Sequence, residues 1–413
     1  MMPSVLWVVA FPQELFDHII ELTKDDRSTL YNLCLVSRAI CLTAQRYLYR
    51  RVALGGVRIK GKGRNRWSLN NLVNRAFFST LVKTQHLALH VRDLYFRPDV
   101  GDAGASDGTS PWRLFHQALR QMINLKRLQI TLMTSDQASS RILEALGDHT
   151  FQLEAFSWMD YRFKMAANES ETFVSFLLSQ PKLLALNILA ESLHLELPER
   201  SCPNLSTFVG TFAHALRVLR IRPITNFVWT APFGSKPRPY MTVFMKASFS
   251  KLRVLILHDH VPVELDYRAD LMNCFQSLEA LHISLTPNSV YQPGSICILA
   301  EATDYLLDLP VLKSLRMVAL TGVILGQWQR VMSDFDSFAT VDTFITRFFD
   351  THPSLERFYT NELHAPTYYQ RWKRREVYPT DVERGDLEDF YQVLGFDCSL
   401  ICGHATYGRD IWV

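Results

Sequence analysis

Hydrophobic positions recur along this chain with two different spacings. Between residues 12 and 52 they fall three and four apart. Leu15, Ile19 and Leu22 form one row and Phe16 and Ile20 a second beside it, followed by Leu30, Leu33 and Cys34, and then by Val36, Ile40, Ala44 and Leu48. This spacing predicts three short helices. Pro12 suits the first turn of the first helix, and Ser28 is placed to cap the second. The two rows on the first helix widen its apolar surface beyond what one neighbouring helix covers. A unit of about forty residues without metal or disulfide rarely sustains its own core. Either the rest of the chain or a second protein is expected to complete it.

Further on the pattern changes. A short phrase, Leu-x-x-Leu-x-Ile in its fullest form, recurs as VRDLYF (91–96), LKRLQI (125–130), LEAFSW (153–158), LLALNI (183–188), LRVLRI (216–221), LRVLIL (252–257), LEALHI (278–283), LKSLRM (312–317) and LERFYT (355–360). The copies lie roughly thirty residues apart, room for a strand, a turn and a helix. PNLSTF (203–208) reads as a fragmentary extra strand. The intervening segments have helical spacing: Ser110 caps and Pro111 opens WRLFHQALRQM, with Leu114, Ala118 and Met122 on one face, and residues 137–146 repeat the form.

Alternating strand and helix permits a doubly wound sheet or a solenoid. Strands inside a doubly wound sheet are apolar on both faces. Here the third and fifth positions of the phrase are often polar or small, as with Arg127 and Gln129, Ala155 and Ser157, Ala185 and Asn187, Ala280 and His282, and Ser314 and Arg316. One strand face is therefore expected to meet solvent, and the fold class is α/β, with three N-terminal helices leading into a solenoid. Two segments read as excursions from it, residues 97–110 and the proline-rich 222–240 with Phe227, Trp229 and Phe233.

Composition narrows the function classes. The 413 residues are 48% hydrophobic, enough for a large core, and 44 basic against 41 acidic residues give a net charge of +3. That balance implies no general affinity for nucleic acid or anionic membrane. The seven cysteines are scattered through apolar runs and read as free thiols in a reducing compartment. Residues 5–11 are apolar but lack a basic flank and fall far short of the ~20 residues of a membrane span. The expectation is a cytoplasmic or nuclear protein.

Motifs for chemistry are weak. GASDG (104–108) satisfies G-x-S-x-G, yet RPDVGDA precedes it where a hydrolase elbow needs a buried strand. Cys398, Cys402 and His404 have irregular spacing for zinc, and His258, His260 and His282 lack companion carboxylates. No phosphate-binding glycine loop is present. The basic run VRIKGKGRNRW (57–67) reads as a solvated hairpin or linker. No cofactor, no metal and no catalytic residue is expected.

Residues 11 to 52 resemble an F-box in the opening Pro12-x-Glu14-Leu15, the pair Ile19-Ile20, Leu30 and Leu33, the signature Leu35-Val36-Ser37-Arg38, and the closing Ala44, Gln45, Leu48 and Tyr49. They depart from it at Phe11, where leucine is usual, and at Ile40, where tryptophan is frequent. The resemblance implies docking onto the Skp adaptor of SCF ubiquitin ligases, and through it to cullin. Phe11, Pro12, Leu15, Ile19, Ile20, Leu35, Val36, Ser37 and Leu48 would form the docking set or its support.

Residues 80 to 360 resemble leucine-rich repeats, whose parallel strands line a concave face with helices outside. The asparagine that usually follows the strand is missing, its place taken by Met133, Tyr161, Glu191, His260 and Thr286. The organisation implied is an F-box over 1–54, a basic linker and first cap over 55–80, the repeats over 81–361, and an aromatic-rich C-terminal cap over 362–413. A substrate protein would bind the strand face through Tyr95, Arg127, Gln129, Asn187, Arg220, His282, Arg316, Arg357 and Tyr359, positions chosen by parity along the phrase. The function implied is that of a non-catalytic substrate-recognition adaptor of an SCF-type ubiquitin ligase. The alternative is a repeat scaffold for protein binding without a ligase role.

Overall fold

The computed structural model describes residues 12–54, 57–58, 67–68, 71–98, 111–132, 136–160, 167–190, 197–211, 214–215, 218, 222, 224–230, 250–258, 275–284, 306, 311–323, 341–362, 368–374 and 380–383. The chain divides into two compact units, Met1–Ala155 and Phe156–Val413.

The first unit opens with three helices, α1 (Gln13–Leu22), α2 (Arg27–Cys34) and α3 (Arg38–Leu48). Asp26, two residues ahead of the expected Ser28, caps α2: its carboxylate accepts the Thr29 N–H at 3.1 Å and the Thr29 hydroxyl at 2.6 Å. A carboxylate there also complements the positive end of the helix. Ser37 starts α3, its hydroxyl accepting the Ile40 N–H at 3.3 Å. Ile20, Leu30, Ile40 and Ala44 close a small core with Phe16, Leu33, Cys34, Tyr47 and Leu48 packed around it. The helices thus bury one side among themselves.

The chain enters a sheet at once. β1 (Arg51–Leu54) follows α3, then the antiparallel pair β2 (Val57–Arg58) and β3 (Trp67–Ser68). Next come α4 (Asn71–Lys83), α5 (Gln85–Ala88), β4 (Asp93–Phe96), α6 (Pro111–Gln121), β5 (Arg127–Leu132) and α7 (Asp136–Gly147). β1, β4 and β5 pair in parallel with Val52, Leu94 and Leu128 in register. These three are buried, as are Leu54, Phe96 and Ile130 two positions on. They face the helices: the Phe96 ring lies 5.7 Å from Phe78 of α4 and 4.7 Å from Phe115 of α6. The alternate positions Ala53, Tyr95 and Gln129 are half-buried. Expectation and structure agree here, except that the strands begin at Arg51. Its flank, Tyr49 to Leu54, is a worn copy of the phrase, with Val52 and Leu54 at the apolar positions.

The second unit holds the remainder of β6 (Ala155–Asp160), then α8 (Ala167–Leu178), β7 (Ala185–Ala190), β8 (Thr207–Gly210), β9 (Asn226–Thr230), β10 (Val254–His258), β11 (Ala280–Ser284), β12 (Met317–Val323), α9 (Val341–Thr351), β13 (Arg357–Glu362), β14 (Tyr368–Lys373) and β15 (Thr380–Glu383). From β7 to β13 the strands are parallel and lie side by side in chain order, and β14 and β15 add an antiparallel end. A doubly wound sheet reverses its direction of growth at a switch point. This order never reverses, which is the topology of a repeat solenoid.

Most of the parallel strands start with one backbone device. The carbonyl ahead of one strand accepts two N–H groups from the next: Arg50 from Arg92 and Asp93, Arg92 from Lys126 and Arg127, Arg253 from Glu279 and Ala280, and Arg316 from Glu356 and Arg357. Side chains just ahead of the strands add a staple to the previous repeat. Asn124 Nδ2 donates to the Leu89 carbonyl at 2.8 Å, Asn204 Nδ2 to Pro181 at 3.0 Å, and Ser277 Oγ to Ser250 at 2.6 Å. They tie the repeats together on the side opposite to the missing asparagine.

Three expectations are corrected. The LRVLRI copy is not the strand of its repeat. Thr211 Oγ1 accepts the His214 N–H at 3.3 Å, and His214, Ala215 and Val218 are helical. The strand comes from ITNFVW (224–229) instead, so Phe227 and Trp229, read as part of an excursion, are core residues. At LKSLRM the register slips by three. Leu281 pairs with Val318, so Leu315, not Leu312, starts the phrase and Arg316 sits ahead of the strand. Two leucines three apart satisfy the pattern equally well, and only the pairing selects between them. Finally, the strand face expected to meet solvent is buried in the second unit. In the row Asn187, Val209, Val228, Ile256, His282, Ala319 and Tyr359 every member is buried except His282, which is half-buried. Its middle members are apolar where the terminal repeats carry polar residues.

Candidate functional site

The three N-terminal helices concentrate exposed grease. Of the twelve large hydrophobic side chains exposed among the described residues, seven belong to them: Leu15, Ile19, Leu22, Tyr31, Leu35, Val36 and Leu42. Single exposed hydrophobics are ordinary, whereas a concentration of them marks an interaction surface. Helical spacing places Leu15, Ile19 and Leu22 on one row of α1, with 47%, 45% and 74% of their surface exposed, while Ile20 on the opposite side retains 1%. Leu35 and Val36, 71% and 65% exposed, stand on the turn between α2 and α3. That turn is held by the N–H of Leu35 on Asn32 and the N–H of Val36 on Leu33.

The surrounding framework is polar. Asp17 on α1 accepts hydrogen bonds from Gln13 Nε2 within the helix and from Thr43 Oγ1, each 2.9 Å, and the second joins α1 to α3. The Gln13 bond first, and the Thr43 bond next, hold its carboxyl below the usual carboxylate range. Arg27 Nη2 donates to the Arg51 carbonyl at 2.7 Å and ties α2 to β1. The exposed row therefore stands on helices whose positions are already fixed by other contacts.

Of the docking residues expected from the sequence, Pro12, Leu15, Ile19, Leu35, Val36 and Ser37 are exposed. Ile20 belongs to the core and Leu48 packs against it, so both act as support. Phe11 lies outside the described residues. Leu22, Tyr31 and Leu42 are exposed additions, of which Leu22 was legible as the next member of the Leu15–Ile19 row.

The strand-face set fares differently. Tyr95 and Gln129 are half-buried on their expected face. Arg127 is held by Asp93 in a bidentate pair, Nε to Oδ1 2.8 Å and Nη2 to Oδ2 3.0 Å. Asp93 is itself buried and lies 3.3 Å from Arg51 Nε. Asn187 and Tyr359 are buried, against the expectation of a solvent-facing contact. His282 Nε2 lies 2.8 Å from the Thr321 hydroxyl. Arg316 is exposed but pairs with Glu356 ahead of the strand, and Arg357 Nη1 reaches the Tyr359 hydroxyl at 3.4 Å. Arg220, GASDG, His260, and Cys398, Cys402 and His404 lie outside the described residues, as does the side chain of His258. No group of three or more potential metal ligands occurs among the described residues, and none of their helices is long and apolar enough to cross a membrane.

No family model and no curated protein matches the chain. Among solved structures it is similar to a protein from Bacteroides fragilis, 14% identical, over 62% of this chain and 78% of that one, with a TM-score of 0.30, a superposition too distant to assign fold or function.

Proposed function

We propose that the chain is a non-catalytic substrate-recognition adaptor of an SCF-type ubiquitin ligase, its N-terminal helices an F-box that docks on a Skp-type partner and its degenerate leucine-rich repeats the holder of a substrate protein. The observation that carries this reading is the division of α1 into two sides, Ile20 turned into the helices' own core and Leu15, Ile19 and Leu22 turned outward. An apolar row on a helix that already has a core has no use within the helices themselves. It suits a hydrophobic groove in a partner, and the F-box resemblance names that partner. Such an adaptor acts by proximity, raising the effective concentration of substrate lysines near a ubiquitin-charged enzyme. On the substrate side, the half-buried Tyr95 and Gln129 of the first unit are the proposed contacts.

The test is co-purification of the full chain with a Skp-type adaptor and cullin. Stoichiometric capture that is lost in Leu15→Asp, with thermal melting unchanged, supports the reading; capture unaffected by that substitution sinks it. Point substitutions are preferable to deletion of residues 1–54, which would also remove β1 and strip β4 of its partner strand. The Arg27 bond to Arg51 favours the second reading, in which the helices only cap a binding scaffold. That reading predicts no adaptor binding at all.

A further inference from the structure

The ladder of carbonyls at the strand starts also aligns side chains. At that position Lys126 pairs with Glu154, Arg253 with Glu279 at 2.6 Å, and Arg316 with Glu356 at 2.8 Å. Neighbouring strands lie about 4.8 Å apart, so unlike charges on consecutive rungs bond and like charges repel. The first rungs break the alternation. Arg92 donates its N–H to the Arg50 carbonyl at 3.0 Å, which makes the two arginines consecutive. Both side chains are exposed, and neither has a carboxylate partner among the described residues. The next rung is no help, since Lys126 is neutralised by Glu154.

Arg50 and Arg92 border a cavity of about 490 Å³ built by the first unit, and Arg46, four residues before Arg50, borders it too. Three arginines thus line one space. Among the described residues of its wall the one carboxylate is Asp17, which is engaged by Gln13 and Thr43 and offsets part of the charge of Arg46, so that Arg50 and Arg92 leave the wall positive. Tyr47 and Leu89 add an apolar wall. A site with excess positive charge, planar donors and an apolar side selects an anion on an organic body: guanidinium forks match phosphate oxygens, and the space is larger than phosphate alone occupies.

We propose that this cavity binds a small organic phosphate monoester, its dianion replacing the carboxylate missing from the ladder between Arg50 and Arg92. The inference is independent of the ligase reading. Isothermal titration of the full chain at low salt with phenyl phosphate, inorganic phosphate and benzoate tests it. Phenyl phosphate is expected to bind one-to-one and about tenfold more tightly than inorganic phosphate, because only the former covers the apolar wall, and more tightly than the singly charged benzoate. Arg92→Ala weakens it about tenfold through loss of charge-assisted bonds. Arg92→Glu restores alternating sign between Arg50 and Lys126, so it abolishes binding and raises the melting temperature. Should that variant fail to fold, Arg50→Ala must lower the affinity instead. Arg141→Ala, outside the cavity lining, leaves it unchanged. The proposal is overturned by the absence of phenyl phosphate binding, by wild-type affinity in the folded Arg92 and Arg50 variants, or by equal weakening in Arg141→Ala.

Discussion

Arg253 and Glu279 meet across adjacent strand starts, Nε to Oε1 2.6 Å and Nη2 to Oε2 2.9 Å. The hydrogen bonds from Arg253, more than its charge, hold the Glu279 carboxyl below its ordinary range, and Arg316 on the next rung adds to this. Because the folded value is depressed, the pair stabilises the protein above the unfolded carboxylate range and loses that contribution as pH falls from there through the lower folded value. Glu279→Gln is expected to lower stability by about 1 kcal/mol at pH 7. The deficit shrinks in high salt, because the arginine is partly exposed. Urea unfolding at two salt concentrations checks both statements.

Leu15 and Ile20 sit on opposite sides of α1, and substitution by aspartate should affect them in opposite ways. Leu15→Asp leaves thermal melting within a degree or two while it removes the surface offered to a partner. Ile20→Asp buries a charge among Leu30, Ile40 and Ala44 and costs more than about 3 kcal/mol. Melting curves of the two variants separate interface from core directly.

His352 is buried beside the Phe348 ring, 4.5 Å between centroids, and neither ring nitrogen has a hydrogen-bond partner among the described residues. Burial pushes its pKa from 6.5 down to about 4. Between those values the unfolded chain takes up a proton that the folded chain refuses, so stability falls as pH drops from 6.5 toward 4. His352→Phe is expected to flatten that slope. Denaturant midpoints measured across the window for both proteins provide the comparison.

Gly210 lets β8 pass close to β7. A Cβ added there would lie 2.8 Å from the Ile188 carbonyl oxygen and 3.0 Å from Phe208 Cζ. The backbone oxygen cannot move aside without disturbing the strand pairing at Ile188 and Gly210. Gly210→Ala should therefore destabilise the second unit by about 2 kcal/mol, a typical cost of overpacking. Differential scanning calorimetry reads the shift.

Where the pattern is local, the sequence was enough. The three helices follow from spacings of three and four, and the phrase located β5, β6, β7, β10, β11 and β13, because alternation along a strand and the helix period are properties of neighbouring residues. It misled where two segments fit it equally: Val218 of LRVLRI is helical, ITNFVW took the strand, and Leu315 prevailed over Leu312 through pairing with β11. The alternation of the phrase groups Asn187 and Tyr359 on one face but says nothing of what lies against that face, and the folded chain buries both. The same limit applies to charge. Asp93 and Arg127 are 34 positions apart, and Arg50 and Arg92 are likewise distant in the chain, so only the stacking of repeats decides that the first pair is bonded and the second faces open space. Periodicity, a short-range property, told which residues share a side; long-range packing alone decided which sides remain available to another molecule.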